Sequence, residues 1–269
     1  MSQWRLLSPA FRSPYENMAI DEALLDSYLL TGIPIFRLYG WMPSGFSVGY
    51  SQEVSKALDL ALCKRDKVPV VRRMTGGGAI YHCREITYSL VCSPEDIGSP
   101  SSVRDGYRAI CAVMMKAYAS LGLSPKFASD TGTTVRSQSS FCFASHSDSD
   151  IVVEGKKIGG NAQRRMKGAI FQHGSIPLEN DLSIAQQYLL EPIASSQLPV
   201  ASLSELLGRS ISFDEMAEVL RKSFVSYFPS LEKEEFLSEE EENKALHLVE
   251  KKYGLDAWNL LNRTKGFLQ

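Results

Sequence analysis

Val68-Pro69-Val70-Val71-Arg72-Arg73-Met74-Thr75-Gly76-Gly77-Gly78-Ala79-Ile80-Tyr81-His82 is an apolar, β-type run that ends in two arginines, breaks at three glycines and resumes. Cys83-Arg84-Glu85-Ile86-Thr87-Tyr88-Ser89-Leu90-Val91 extends it, so the glycines are expected between strands of one sheet. Residues without Cβ allow φ > 0 and leave main-chain N–H groups open, and the paired arginines add fixed positive charge suited to a phosphate or carboxylate. A plain glycine turn capped by surface arginines accounts for the same residues. Neither G-x-G-x-x-G nor a following Gly-Lys-Ser/Thr is present, so the stretch implies a cradle without naming a ligand.

The 269 residues are 44% hydrophobic and 22% charged, enough to bury a full core. A net charge of −2 without a long basic block argues against nucleic acid as a partner. Met1-Ser2-Gln3-Trp4-Arg5 lacks the layout of a signal peptide, and no apolar run approaches the ~20 residues that span a bilayer, which places the protein in the cytoplasm and off the membrane. Cys63, Cys83, Cys92, Cys111 and Cys142 are odd in number and form no C-x-x-C pair, against both a disulfide framework and a structural zinc site.

Ser13-Pro14-Tyr15-Glu16 reads as a capping box opening a helix over about 14–31, closed by Gly32. Short strands follow at 35–39 and 47–50, then a modest helix at 54–66 and a long amphipathic one at 102–121. Beyond a polar loop carrying Phe141-Cys142-Phe143, three extended runs (151–153, 157–165, 169–176) are expected to form one antiparallel meander. Gly159-Gly160 inside it marks a bulge or a place of close approach. Helices are expected at 181–190, at 213–228 behind a Ser212/Glu215 capping box, and from Ser238 through about Tyr253. With no repeat or low-complexity linker, the economical reading is one domain over 1–269 with a helical segment at about 205–260 packed on it.

Cys142 is the cysteine with polar sequence on both sides, and Lys157 is the cation that could lower its pKa across the hairpin. A passive thiol between phenylalanines and a solvated lysine are the plain alternatives. His82 and His173 each follow an apolar strand-like run, as structural hydrogen-bonders or as bases.

The arginine–glycine stretch, together with Gly155-Lys156-Lys157-Ile158-Gly159-Gly160-Asn161-Ala162-Gln163 and Gln172-His173-Gly174-Ser175, resembles the signature of the lipoate–protein ligase and octanoyltransferase superfamily. The likeness runs from Asn17-Met18-Ala19-Ile20-Asp21-Glu22-Ala23 through Lys252-Tyr253-Gly254-Leu255-Asp256-Ala257-Trp258-Asn259. It implies an α+β fold of the biotin/lipoate protein ligase catalytic type, a mixed and largely antiparallel sheet flanked by helices. Ser139-Ser140-Phe141-Cys142-Phe143 before Val152-Val153-Glu154-Gly155-Lys156-Lys157 is similar to the nucleophile segment of the cysteine-dependent, LipM-type octanoyltransferases. The chain ends soon after Trp258-Asn259, which on this reading leaves no room for the ligases' accessory domain. Cys83 stands where an aspartate usually follows the histidine.

The resemblance implies ping-pong acyl transfer without a cofactor, with Cys142 as nucleophile and Lys157 beside the thioester. Acyl carrier protein would be the octanoyl donor, and a lipoyl-domain protein such as glycine cleavage H protein the acceptor. The substrate would lie against Arg72, Arg73, Thr75, Gly76, Gly77 and Gly78, and against His82, Gly159, Gly160, Ala162 and His173. Two alternatives stay open: a ligase catalytic subunit using ATP, magnesium and free lipoate, and a non-catalytic lipoyl- or biotin-binding module on the same fold.

Overall fold

A computed structural model describes residues 3–131, 150–191, 200–228 and 234–261. In chain order its elements begin β1 (Arg5–Arg12), α1 (Pro14–Thr31), β2 (Ile35–Trp41), β3 (Gly45–Val48), α2 (Val54–Ala57), α3 (Leu60–Arg65), β4 (Val70–Arg72), β5 (Ile80–His82) and β6 (Glu85–Cys92). They continue α4 (Val103–Ser120), β7 (Lys126–Phe127), β8 (Ile151–Val153), β9 (Lys156–Lys157), β10 (Gly160–Met166), β11 (Ala169–Pro177) and α5 (Leu182–Gln186). The last are α6 (Leu203–Leu207), α7 (Phe213–Tyr227), β12 (Glu234–Glu235), α8 (Glu239–Leu248) and α9 (Asp256–Asn259). The strands build a six-stranded mixed sheet in the order β10-β11-β6-β2-β1-β12 and two three-stranded sheets, β4-β3-β5 and β7-β8-β9.

Register gives the large sheet two different faces. Phe36, Leu90 and Gln172 pair across β2, β6 and β11, and Leu38, Tyr88 and Gly174 form the next row on that face. This side packs on α4 and α7 through Ile110, Met114, Leu220 and Phe224, whose ring stacks on Phe36 at 3.9 Å. On the opposite face Ile35, Val91 and Phe171 make an apolar row, followed by Arg37–Ser89–His173 and then Tyr39–Thr87–Ser175. Because side chains alternate along a strand, three polar positions two apart on β6 (Glu85, Thr87, Ser89) all point to one side.

α1 lies over that second face. Its C-terminal half sets Leu24, Leu25 and Tyr28 on the apolar row, while Asn17 and Asp21, one helical turn apart, meet the polar rows. Asp21 accepts from Arg37 (2.7 Å), Ser89 Oγ (2.9 Å) and Tyr39 OH (2.9 Å), and the Asn17 carbonyl oxygens take the rest of the Arg37 fork. The helix starts with the expected capping box and stops at Gly32, whose φ of 67° is left-handed.

Several expectations need correcting. The three runs around Gly159 do not form one meander: β8 and β9 pair in a small sheet, β10 and β11 in the large one. Gly159 makes the transfer with φ at 118°, and a Cβ there would lie 2.5 Å from the Ser175 carbonyl oxygen. The strands flanking the glycine triplet share a sheet but are separated by β3, and β6 belongs to the other sheet. The helix expected at 54–66 breaks at Leu58–Asp59 into α2 and α3, where Asp59 caps the second piece. The helix expected over 181–190 is only Leu182–Gln186. Glu215 does not complete a box with Ser212, because Arg209 holds its carboxylate. The helix expected from Ser238 through about Tyr253 is α8, which runs to Leu248 and continues as a wider π turn over Val249–Tyr253.

Candidate active site

The glycine loop is organised from inside by its arginines. Arg73 reaches across it to the Gly76 and Gly78 carbonyl oxygens, both at 2.8 Å, and donates also to Ser47 O and Oγ. Arg72 donates to six main-chain carbonyls, those of Gly49, Tyr50, Gln52, Trp258, Asn259 and Leu261, at 2.8–3.3 Å. Trp258 Nε1 returns a bond to the Arg72 carbonyl, and Asn259 Oδ1 accepts from the Arg72 amide. The Arg72 fork and much of that of Arg73 are thus turned to main-chain carbonyls, and Arg72 pins residues 258–261 to β4.

His82, at the end of β5, stands between a hydroxyl and a carboxylate. Its Nε2 is 2.7 Å from Ser47 Oγ and its Nδ1 3.0 Å from Glu85 Oε1. Glu85 also accepts from the hydroxyls of Thr87 and Ser175. A carboxylate with these donors requires Nδ1 to carry the proton, leaving Nε2 to accept from Ser47. Trp41 stacks on the imidazole at 3.7 Å, nearly parallel at 9°, and anchors its own Nε1 on Thr87. Ring plane and tautomer are both fixed.

A second array of the same form lies nearby. His173 on β11 has Nε2 2.7 Å from Thr75 Oγ1 and Nδ1 3.6 Å from Asp21 Oδ2. Burial lowers the His173 pKa, outweighing the attraction of Asp21. Burial acts to raise the Asp21 pKa, but His173, Arg37 and Ser89 together bring it below the ordinary carboxylate value. A neutral imidazole and an ionised carboxylate therefore coexist at neutral pH.

Between these arrays opens a cleft of about 380 Å³. Met18, Tyr39, Trp41, Ile80 and Ala162 supply apolar wall, Gly77, Gly160 and Gly174 bare backbone, and His82, His173, Ser47 and Ser175 the polar groups. This composition suits an apolar chain with one polar end. Of the residues singled out from sequence, Arg73, Gly77, His82, Gly160, Ala162 and His173 line the cleft; Thr75 supports it through His173, while Arg72, Gly76, Gly78 and Gly159 shape the backbone around it. Sequence reasoning missed Asp21, Ser47 and Glu85 as site residues. The polar alternation along β6 and the His82-x-x-Glu85 spacing were the available signals.

Lys157 is buried, not solvated, and pairs with Asp150 at 2.8 Å with both side chains 3% exposed. Cys142 lies in 132–149, outside the described residues, and Asp150 is the first described residue after it. The described cysteines are not activated thiols: burial pushes Cys63 up to about 11 and Cys111 to about 12, and raises Cys83 and Cys92 as well. No cluster of metal-ligating side chains occurs among the described residues, and none of their helices is long and apolar enough to cross a membrane.

Fold and cleft together define a lipoate-ligase type of catalytic domain, a mixed α+β sheet with a histidine-lined cleft beside a glycine loop. Lipoate-protein ligase A solved with ATP has a TM-score of 0.79 and 26% identity, covering 97% of this chain and 100% of its own. A bi-partite lipoate protein ligase from Thermoplasma acidophilum, solved in a study with its E2 lipoyl domain, has a TM-score of 0.77 and 25% identity over 98% of this chain and 99% of its own. The chain belongs to the lipoyl protein ligase A/B catalytic domain family, whose model matches residues 13–225. Octanoyltransferase LipM of Brevibacillus brevis is 36% identical, covering 97% of this chain and 99% of its own.

Proposed function

We propose that the protein is an octanoyltransferase of protein lipoylation, moving an octanoyl group from acyl carrier protein to a lysine of a lipoyl-domain protein such as glycine cleavage H protein. The observation that carries this is the likeness, over nearly the full length of both chains, to an octanoyltransferase. The Cys142 thiol gives up its proton and attacks the octanoyl thioester; the bond to the carrier sulfur breaks, the carrier leaves as a thiolate that takes up that proton, and octanoyl-Cys142 forms. The acceptor amine then attacks this acyl-enzyme, the amide forms, and Cys142 is released with the proton that the amine gives up.

Lys157, held by Asp150, polarises the thioester carbonyl. His82, oriented by Glu85 and Trp41, takes the amine proton. The cleft holds the acyl chain, gaining roughly 0.8 kcal/mol per buried CH₂. The reaction belongs in the cytoplasm, where acyl carrier protein would supply the octanoyl group.

The ligase reading retains one supporting observation, the structural likeness to an ATP-bound ligase. Intact-mass analysis after incubation with octanoyl–acyl carrier protein, without ATP, separates the two. An octanoyl adduct on the wild type that hydroxylamine removes and Cys142→Ala lacks is the expected result. No adduct, with lipoyl-adenylate formed from lipoate and ATP, would replace transfer with ligation.

A further inference from the structure

A second cavity, of about 560 Å³, adjoins the acyl cleft at Glu85. Glu85 lines this cavity, while its carboxylate holds His82 and Ser175, which line the cleft. The walls combine apolar surface from Tyr81, Leu182 and Val200 with the side chains of Glu85, Glu179 and Asp181. Asp181 is the informative residue. Its Oδ1 accepts from Arg84, which also binds Glu179, but its Oδ2 is buried and accepts no conventional hydrogen bond among the described residues, with the side chain only 8% exposed. The nearby Cys83 thiol, a weak donor, is the neighbour that could contact this carboxylate; its pKa is raised chiefly by burial, and further by the Asp181 charge and a hydrogen bond to Asp181.

A buried carboxylate oxygen with no donor stronger than a thiol is costly, and a ligand that brings a cationic N–H group removes the cost. The same acidic wall repels phosphate. The cavity also reaches the reacting region through the backbone: Ala201 N donates to Lys157 O at 3.0 Å, and Val200 bridges to Lys157.

We propose that this cavity admits the acceptor's lysine side chain, the methylene stem lying along Tyr81, Leu182 and Val200 and the ammonium meeting Asp181 Oδ2 on its way to the acyl-enzyme. This rests on the octanoyl-transfer reading above. On leaving Asp181 the ammonium gives one proton to water; the neutral amine then bonds to the acyl carbon, its second proton passes to His82, and Cys142 Sγ leaves and takes that proton from His82.

The test uses the full chain, octanoyl–acyl carrier protein and glycine cleavage H protein, with the two half-reactions followed separately. Asp181→Asn is expected to raise the KM for H protein about tenfold, as loss of a charged hydrogen bond does, while acyl-enzyme forms at the wild-type rate by intact mass. Arg84→Gln, which removes the competing cation, is expected to leave that KM unchanged or lower it. If both variants raise the KM together, or if Asp181→Asn slows acyl-enzyme formation as much as transfer, Asp181 is a structural anchor and the proposal fails. Competition of ATP with H protein on the wild type would assign the cavity to a nucleotide instead. Absence of any octanoyl adduct on the wild type would reject the transfer reading itself, and this proposal with it.

Discussion

Replacing Gly49 by alanine should misplace the glycine loop by a calculable amount. Val48 to Tyr50 runs beside Arg73 to Thr75, tied by Arg73 N to Val48 O at 3.0 Å and Tyr50 N to Thr75 O at 2.7 Å. That pairing brings Gly49 so close to the loop that a Cβ on it would stand 1.9 Å from the Gly77 carbonyl oxygen. Real Cβ contacts do not fall below 3.0 Å, so the Gly77 peptide must retreat by at least about 1 Å. Overpacking of this kind costs about 1–3 kcal/mol of stability. Because Gly77 lines the cleft, the larger effect falls on function: a displacement of about 1 Å in positioning groups costs on the order of 10²-fold in rate. Gly76→Ala is the folding control, since its Cβ would meet nothing within 4 Å, and its unfolding free energy should stay within about 0.5 kcal/mol of wild type. Octanoyl transfer to H protein measures kcat/KM, and scanning calorimetry measures stability. A Gly49→Ala enzyme with kcat/KM within about threefold of wild type would refute the argument that loop position sets the rate.

Arg72→Lys removes a fork that no ammonium reproduces and leaves most of six carbonyls without their donor, so denaturant unfolding should show a loss of about 3 kcal/mol or more; an unchanged midpoint would mean that water substitutes for the guanidinium. His173 has a folded-state pKa below its ordinary 6.5, so its contribution to stability is complete above about pH 6.5 and is lost as pH falls through the folded value. His173→Gln should flatten the melting temperature against pH just below 6.5, whereas parallel curves for variant and wild type would remove His173 as the cause. Asp21, also lowered, adds its loss only below about pH 4. Lys157→Met removes the cation facing buried Asp150 and should cost about 3–5 kcal/mol. The double variant with Asp150→Leu should recover most of that while transfer stays lost, and recovery of activity in the double variant would deny Lys157 a chemical role.

What could be read in the sequence was local. Ser13, Pro14, Glu16 and Gly32 specify both ends of α1 through bonds within one turn of the chain, and the helix is where they place it. The split of the expected meander was not legible, since it depends on a carbonyl of β11 approaching Gly159, a tertiary contact that no spacing encodes. Both histidines could be singled out as ends of apolar runs, but their carboxylates come by different routes. Glu85 is three residues from His82 across a tight reversal, whereas Asp21 arrives from a helix more than 150 residues before His173. The arginines illustrate the converse. Two cations beside glycines suggest an anion site, and only the fold discloses that neutral carbonyls of the loop, and of Trp258, Asn259 and Leu261, are the acceptors.

That use of the arginines bears on the chemistry. A site for a triphosphate needs cations or aligned N–H donors turned toward the ligand. Here Arg72 and Arg73 donate to main-chain carbonyls and Ser47, Lys157 faces Asp150, and the cavity next to the acyl cleft is walled by Glu85, Glu179 and Asp181. Beneath the cleft the two carboxylates, Asp21 and Glu85, are surrounded by hydroxyls, an arginine and imidazoles, so their charge is neutralised locally and not presented to the acyl chain. An uncharged octanoyl thioester fits this balance without further partners, and so does an incoming ammonium that finds an unfilled carboxylate oxygen. Among the described residues lining the two cavities, Arg73 is the cation, and its bonds run to Ser47, Gly76 and Gly78. Charge placement therefore argues for acyl transfer on the same side as the likeness to an octanoyltransferase, and does so from different residues.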